Sequence, residues 1–238
     1  MVIENINVYN FEGALRGMRN PKNSWSKSDS VYGLELNQAD AILSRTNQQP
    51  YEIIKTDNDL CEFVSIGPND LKLAQTLINA GSEHRKFMRQ IFVSMDITAP
   101  LYWWKEMDTY KVATTADSCS TMHKITSEPI TLQSFETDDY NYRLYIESLD
   151  DIDSKFVKPL IDHLENLRRL YLETGNKEYW KELIRWLPEG WLQMRTWTGS
   201  YETLRSMYHQ RKTHKLTEWH TMCKKIETLP YATSLITI

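Results

Sequence analysis

The order of apolar and polar residues predicts β-strands in the N-terminal part of the chain. Ile3, Ile6 and Val8 stand among polar residues from position 2 to position 9, which is typical of a strand with one buried face. Residues 91–97 alternate in the same way. Shorter runs predict two further strands over residues 51–55 and 62–66, on either side of a turn at residues 57–59.

Apolar residues recur at helical spacing in much of the remaining chain. Between residues 156 and 171 they mark one face of a long helix that Gly175 ends. The same periodicity predicts shorter helices over residues 11–19, 71–80, 101–111, 176–186, 201–212 and 216–226. These elements indicate an α/β (or α+β) fold, with a central mixed sheet, helices packed around it and a helical C-terminal half. No repeat or linker divides residues 1–238, which predicts a single domain.

Composition and charge argue against several classes of function. Only 8 of the 238 residues are glycine, and no glycine-rich dinucleotide or P-loop motif occurs. Lys and Arg number 28 against 32 Asp and Glu, which gives a net charge of −4. That balance does not favour a nucleic-acid polymer as a partner.

The cysteines and histidines are dispersed along the chain. Cys61, Cys119 and Cys223 have no metal-binding spacing, and the six histidines lie on separate predicted elements, so no metal site is predicted. Three unpaired cysteines favour a reducing compartment. No stretch approaches the ~20 apolar residues of a membrane span, and the first residues lack the apolar run of a signal peptide. We therefore expect a cytoplasmic protein with no membrane partner.

A polar, turn-rich segment follows the first predicted helix. Over residues 20–30, Lys22 and Lys27 flank Trp25 among asparagine and serine residues. Two interpretations stay open: an exposed loop whose Trp25 packs against the core, or an anion-binding loop.

Short hydroxyl side chains cluster with a thiol and two lysines between residues 111 and 124. Hydroxyl and ammonium groups donate hydrogen bonds without bulk, so the segment suits a phosphate or a pyrimidine base. A hydroxyl-rich loop or strand edge is the alternative. Cys119 is either a small buried thiol or, if Lys111 or His123 lowers its pKa, a nucleophile.

Arg211 extends the apolar face of the helix predicted over residues 201–212. Tyr201, Leu204 and Tyr208 recur on that face at helical spacing. A guanidinium that points toward a core is costly unless an anion meets it. The pattern therefore predicts either an anion site at Arg211 or an arginine that reaches solvent or pairs with an internal carboxylate.

From residue 84 onward the chain resembles the flavin-dependent thymidylate synthases. In that family a histidine precedes a strand, and the next helix leads into an R-H-R-x-x-S-x-N-E-x-S-x-R signature. Here His84 precedes the strand at residues 91–97, and residues 109–121 take the place of the signature. Arg185, Leu187-Pro188 and Arg211 follow in the family's order, and Arg211 is identical to the family residue.

The resemblance implies an enzyme that transfers a one-carbon group from a folate to a pyrimidine deoxynucleotide such as dUMP. It implies FAD as cofactor and a homotetramer, with Cys119 as the candidate catalytic residue. The implied substrate contacts are Lys111, Asp117, Ser118, Ser120, Arg185 and Arg211. The implied flavin contacts are His84, Thr109, Tyr110, Ser200 and Ser206.

The signature differs from the family's at each of its fixed positions, with Thr114, Ala116, Asp117, Cys119 and Thr121 in its later part. Thr109, Tyr110 and Lys111 replace R-H-R, so one fixed positive charge stands where the family has two guanidinium groups. The substitution predicts weak flavin binding. The alternative function is a nucleotide-binding or assembly protein that has kept the fold and lost the flavin chemistry.

Overall fold

The computed structural model describes residues 1–33, 51–52, 63–137 and 152–238. The strands are β1 (Val2–Tyr9), β2 (Val31–Gly33), β3 (Tyr51–Glu52), β4 (Phe63–Ser65), β5 (Phe92–Pro100), β6 (Thr115–Ser118) and β7 (Leu192–Ser200). The helices are α1 (Phe11–Arg19), α2 (Pro68–Asn79), α3 (Leu101–Met107), α4 (Thr121–Lys124), α5 (Ile152–Thr174), α6 (Lys177–Arg185), α7 (Tyr201–Arg211), α8 (Thr217–Glu227) and α9 (Ala232–Leu235). Short 3₁₀ turns lie at Asn20–Lys22, Trp25–Lys27, Lys86–Gln90 and Leu132–Ser134.

Two sheets organise these strands. A four-stranded sheet has the order β1-β5-β7-β6, and a three-stranded sheet has the order β2-β4-β3. The smaller sheet is antiparallel, with Val31 opposite Ser65 and Tyr51 opposite Val64. Strands and packed helices together form a mixed α/β fold, so the predicted fold class is confirmed.

A local irregularity in β1 explains why its apolar residues are not evenly spaced. Ile3, Ile6 and Val8 are all buried, although Ile6 follows Ile3 by three positions and regular alternation requires two. Asn5 between them has a left-handed backbone, with φ at 50°. Asparagine tolerates that conformation better than most residues, and one extra residue of this kind shifts the side-chain alternation as in a β-bulge.

Two predictions about the elements need correction. The C-terminal half is not helical throughout, because β7 runs from Leu192 to Ser200. The helix predicted over residues 101–111 ends at Met107, and it begins directly after Pro100, the last residue of β5. The strands predicted at 51–55 and 62–66 overlap β3 and β4. The turn predicted at 57–59 falls within residues 53–62, which lie outside the described residues.

The chain divides into two compact units. The first comprises Met1–Val2, Ile97–Thr109 and Asp117–Arg195, and the second comprises Ile3–Asp96, Tyr110–Ala116 and Thr196–Ile238. A single domain over residues 1–238 stays a prediction.

The core of the first unit forms where α5 and α6 pack together. Leu164 and Leu167 of α5 are buried with Leu183 of α6. The same cluster contains Ile125, Ile130, Phe135 and Ile161. Asn176 caps α6 by accepting a 3.0 Å hydrogen bond from the backbone N–H of Glu178, which fixes the start of the helix.

The core of the second unit centres on Tyr201, the first residue of α7. Its ring lies 5.5 Å from that of Phe11 in an edge-to-face contact, and its hydroxyl donates to the Pro230 carbonyl at 2.7 Å. Burial raises the pKa of Tyr201 well above its usual value, so this hydroxyl keeps its proton. Leu204 and Met207 continue the buried face.

Candidate functional site

The first unit contains a cavity of ≈ 440 Å³ beside the end of β6. That volume lies in the range of small-molecule sites. One wall carries residues of the hydroxyl-rich segment, namely Cys119, Ser120, Thr121 and Lys124. The neighbouring part of the lining is the start of β7 with the residue before it, namely Trp191, Leu192, Gln193 and Met194. Thr98, Ser127, Glu128 and Ser134 also line the cavity.

Backbone hydrogen bonds hold Cys119 on the cavity wall. Its N–H donates to the Met194 carbonyl at 2.9 Å, and its carbonyl accepts from Nε2 of Gln193 at 3.1 Å. Gln193 Nε2 also donates to Oγ1 of Thr121 at 3.1 Å. The Cys119 thiol is free and exposed, so the interpretation as a small buried thiol is wrong.

Charged and hydroxyl groups give the cavity its hydrogen-bonding capacity. Lys124 carries a positive charge and three donors, and Glu128 carries a carboxylate that accepts hydrogen bonds. The hydroxyls of Ser120 and Ser127 both donate and accept. Trp191 adds an aromatic side chain whose ring packs edge-on against Phe135 at 5.6 Å. Such a lining can bind a planar polar ring that carries an anionic group.

Contacts with Trp104 and Asp108 also hold β7 in place. Arg195 lies with its guanidinium carbon 4.2 Å from the ring centre of Trp104, and its Nη1 donates to Asp108 at 2.8 Å. Trp104 Nε1 donates to the Gln193 carbonyl at 2.9 Å. Sequence reasoning missed Gln193, Arg195 and Trp191, because the residues around them carry no local pattern that indicates these contacts.

The remaining residues predicted to contact substrate do not all join this cavity. Asp117 and Ser118 lie exposed in β6, and the described lining of the cavity does not include them. Arg185 is exposed at the end of α6 and forms an ion pair with Glu182 of the same helix. Lys111 is exposed and belongs to the second unit.

Arg211 belongs to an aromatic cluster of the second unit. Its Nε donates to the Tyr110 hydroxyl at 3.0 Å, and its guanidinium carbon lies 4.8 Å from the ring centre of Trp219. The Tyr110 hydroxyl in turn donates to Oε1 of Gln210 at 2.8 Å. Arg211 therefore continues the buried face of α7, and its guanidinium packs against the rings of Tyr110 and Trp219.

The predicted flavin contacts have several intrachain partners. Ser200 is buried and caps α7, accepting a 3.3 Å hydrogen bond from the Thr203 N–H. Thr109 Oγ1 donates to the Glu106 carbonyl at 2.7 Å. His84 is exposed in the turn after α2, and Ser206 is half-buried on α7. The described residues contain no group of three or more His, Cys, Asp or Glu side chains able to hold a metal.

Two solved structures of flavin-dependent thymidylate synthases are similar to this chain. The chain is similar to ThyX of Helicobacter pylori complexed with FAD and dUMP, with a TM-score of 0.64, 16% identity, and coverage of 100% of this chain and 98% of that chain. A second Helicobacter pylori ThyX structure with FAD and dUMP gives a TM-score of 0.63 at the same identity and coverage. No family model and no curated protein matches the sequence. The likeness establishes the fold: this chain has the fold of ThyX. Among the described helices, none has the length and apolar content that crossing a bilayer requires.

Proposed function

We propose that the protein binds a pyrimidine deoxynucleotide such as dUMP in the cavity beside Cys119. We further propose that it acts on the nucleotide as a thymidylate synthase-like enzyme, which transfers and reduces a one-carbon group from a folate. The observation that supports this most is that Cys119, Ser120 and Thr121 line one cavity, because these residues occupy signature positions in the resemblance. The Helicobacter pylori proteins with this fold are complexed with dUMP, which points to the same class of ligand.

The chemistry of the lining suits a uracil nucleotide. Lys124 pairs with the phosphate, which gains a charge-assisted hydrogen bond. Glu128 accepts the ring N–H of uracil, and the serine hydroxyls donate to its carbonyl oxygens. Cys119 faces the same space with a free thiol, which makes it the candidate nucleophile toward the pyrimidine ring.

FAD is the cofactor that we propose, and when reduced it supplies a hydride. The candidate residues fit a weakly held flavin better than a tightly held one. The polar groups of Thr109, Tyr110 and Ser200 already bond within the chain, which leaves His84 and Ser206 as the remaining candidates. Lys111 is exposed and provides the only positive charge in the segment that replaces R-H-R.

Protection of Cys119 from alkylation tests nucleotide binding at this cavity. In a Cys61→Ser background, N-ethylmaleimide should label Cys119 quickly because its thiol is exposed. Cys223 should react slowly, since it is 5% exposed and burial raises its pKa to about 11. Saturating dUMP should slow the labelling of Cys119, and Lys124→Gln should weaken that protection about tenfold. Equal labelling rates with and without dUMP would exclude this site.

A nucleotide-binding protein without turnover is the second candidate function. It is favoured by Tyr110, whose hydroxyl is engaged by Gln210 and Arg211 at the centre of the R-H-R replacement. The two functions separate in an assay with dUMP, reduced FAD and methylenetetrahydrofolate, in which dTMP is quantified. Formation of dTMP that stops in Cys119→Ser supports the enzyme, whereas Cys119 protection without dTMP supports the binding protein.

We place the protein in the cytoplasm, because Cys119 and Cys223 are both free.

A further inference from the structure

The segment after α1 forms a basic pocket that the proposed reaction does not use. The pocket has a volume of ≈ 690 Å³ and lies entirely within the second unit. Its charged lining residues are Arg19, Lys22 and Lys27, and the described lining contains no carboxylate. Asn23, Ser24, Ser26 and Asn69 supply further hydrogen-bonding groups.

Trp25 does not fill this pocket or the core. It is 49% exposed, and its Nε1 donates to Oδ1 of Asn20 at 2.8 Å. The interpretation that placed Trp25 against the core is therefore wrong. Two 3₁₀ turns, Asn20–Lys22 and Trp25–Lys27, are joined by Asn23 in a left-handed conformation (φ 46°), which gives this polar segment a defined shape.

Arg19 is built into the pocket wall. It is 4% exposed, its Nε donates to Asp70 Oδ1 at 2.6 Å, and its Nη1 donates to the Ser24 carbonyl at 3.2 Å. These bonds leave Nη2 without a hydrogen-bond partner in the described part of the chain. A buried guanidinium with an unused donor, held in one orientation, is preorganised for an anion because little of its side-chain freedom is lost on binding.

Asp70 holds the Arg19 guanidinium in place, and it is not among the described residues that line the pocket. Its Oδ2 accepts hydrogen bonds from the Ser28 and Ser30 hydroxyls at 2.7 and 2.6 Å. The carboxylate is therefore already hydrogen-bonded to residues of the same segment. The N-terminus of α2 is also occupied, since the Asp29 carboxylate accepts the N–H groups of Asn69 and Asp70. An anion in the pocket is therefore held by side chains and not by the helix end.

Lys22 and Lys27 give the pocket an unbalanced positive charge. Neither lysine forms an ion pair with any residue in the described ranges. Asp70 compensates Arg19, and the Asp29 carboxylate lies at the N–H groups of Asn69 and Asp70. Three basic groups against these two carboxylates leave one net positive charge for a ligand to neutralise. Ammonium and guanidinium groups around hydroxyl and amide donors are the combination that proteins use for phosphate.

We propose that this pocket binds the phosphate groups of a small phosphorylated molecule through Arg19, Lys22 and Lys27. The volume accommodates a diphosphate with an attached sugar or base, and it equally admits a free inorganic diphosphate. The site belongs to residues outside the proposed dUMP cavity, so each proposal can fail without the other.

Calorimetric titration with inorganic pyrophosphate tests the site in the intact protein. Lys22→Gln/Lys27→Gln should weaken binding by about tenfold or more, since each lost charge-assisted contact costs about a factor of ten in affinity. Lys72→Gln/Lys224→Gln removes the same charge from two exposed lysines of the same unit outside the pocket. That control should leave pyrophosphate binding unchanged.

Titrations with dUDP and pyrophosphate in a Lys124→Gln background, which weakens nucleotide binding beside Cys119, separate the two sources of phosphate. Tighter binding of dUDP than of pyrophosphate, lost in Lys22→Gln/Lys27→Gln, assigns the pocket to a nucleotide. Equal affinities, both lost in that variant, assign it to inorganic diphosphate. The proposal is overturned if millimolar pyrophosphate and dUDP give no binding, or if the double variant and its matched control weaken binding equally.

Discussion

Arg19 and Asp70 form an ion pair in which both side chains are almost completely buried and the Nε–Oδ1 distance is 2.6 Å. The pair joins the end of α1 to the first turn of α2. Asp70 also accepts hydrogen bonds from Ser28 and Ser30, so one carboxylate organises the polar segment between the two helices. Two opposite charges that lie away from water depend on each other, because losing one leaves the other uncompensated.

Asp70→Asn should therefore be among the most destabilising single substitutions in the second unit. We expect a loss of about 3–5 kcal/mol in the free energy of unfolding, the usual cost of breaking a buried pair from one side. Urea unfolding followed by circular dichroism measures it. Ser28→Ala serves as the control and should cost about 1 kcal/mol, since it removes one hydrogen bond and no charge. A loss in Asp70→Asn no larger than in Ser28→Ala would contradict the argument.

The same carboxylate should make stability depend on pH in the acid range. Burial alone would raise the pKa of Asp70, but hydrogen bonds from Ser28, Ser30 and Arg19 outweigh it and hold the pKa below its usual value. A carboxyl group with a lowered folded pKa stabilises the fold above its unfolded pKa of about 3.9, and that stabilisation is lost as the pH falls through the folded value.

Urea midpoints measured at successive pH values should therefore fall once the pH drops below about 4. Asp70→Asn has no proton to gain at this position, so its midpoint should fall less steeply over the same range. Parallel pH profiles for the two proteins would show that other carboxylates set the acid limit.

The fold was predictable where one side of an element is consistently buried. The apolar face of α5, with Leu164 and Leu167, follows helical spacing and was predicted. β7 was missed because its apolar residues change phase: Leu192 and Met194 fall on one alternation, and the buried Trp197 falls on the other. No single period spans that strand, so alternation fails as a signal.

The candidate site, like the fold, was predictable only in part. Cys119 and Ser120 were found because the hydroxyl-rich segment is a local feature of the sequence. Gln193 and Trp191 line the same cavity from more than 70 residues away, and Gln193 Nε2 donates to the Cys119 carbonyl across 74 positions. Nothing in the residues around Gln193 indicates that contact, because pairing between distant segments leaves no local pattern.

The resemblance predicts that Arg211→Ala abolishes the response of the protein to dUMP, although Arg211 does not line the cavity beside Cys119. In the resemblance, Arg211 follows Leu187-Pro188 in the family's order and is identical to the family residue. A phosphate bound by it gains roughly 1.5–3 kcal/mol from a charge-assisted contact. We expect dUMP to raise the Tm of the unaltered protein and to leave that of Arg211→Ala unchanged. Arg89→Ala, an exposed arginine of the same unit, is the control. Equal shifts with and without Arg211 would remove it from the substrate site.

The protein should be a homotetramer in solution, as its resemblance to the thymidylate synthases implies. Exposed aromatic side chains such as Trp25 and Trp186 are available for contacts between copies. Light scattering coupled to gel filtration measures the mass directly. A mass near that of one 28.1 kDa chain at micromolar concentration would rule out the assembly.

Flavin binding should be weak and should improve when guanidinium groups are restored. Thr109 and Lys111 stand where the family has arginines, and lysine does not reproduce the bidentate geometry of a guanidinium. The protein should therefore purify colourless and quench FAD fluorescence only when FAD is added in excess. Thr109→Arg/Lys111→Arg should tighten FAD binding by about ten- to a hundredfold, the equivalent of one charge-assisted contact. Lys72→Arg/Thr76→Arg adds the same groups to exposed positions of α2 and should have no effect. Stoichiometric FAD that survives gel filtration of the unaltered protein would show that the cofactor is held by residues other than those at positions 109–111.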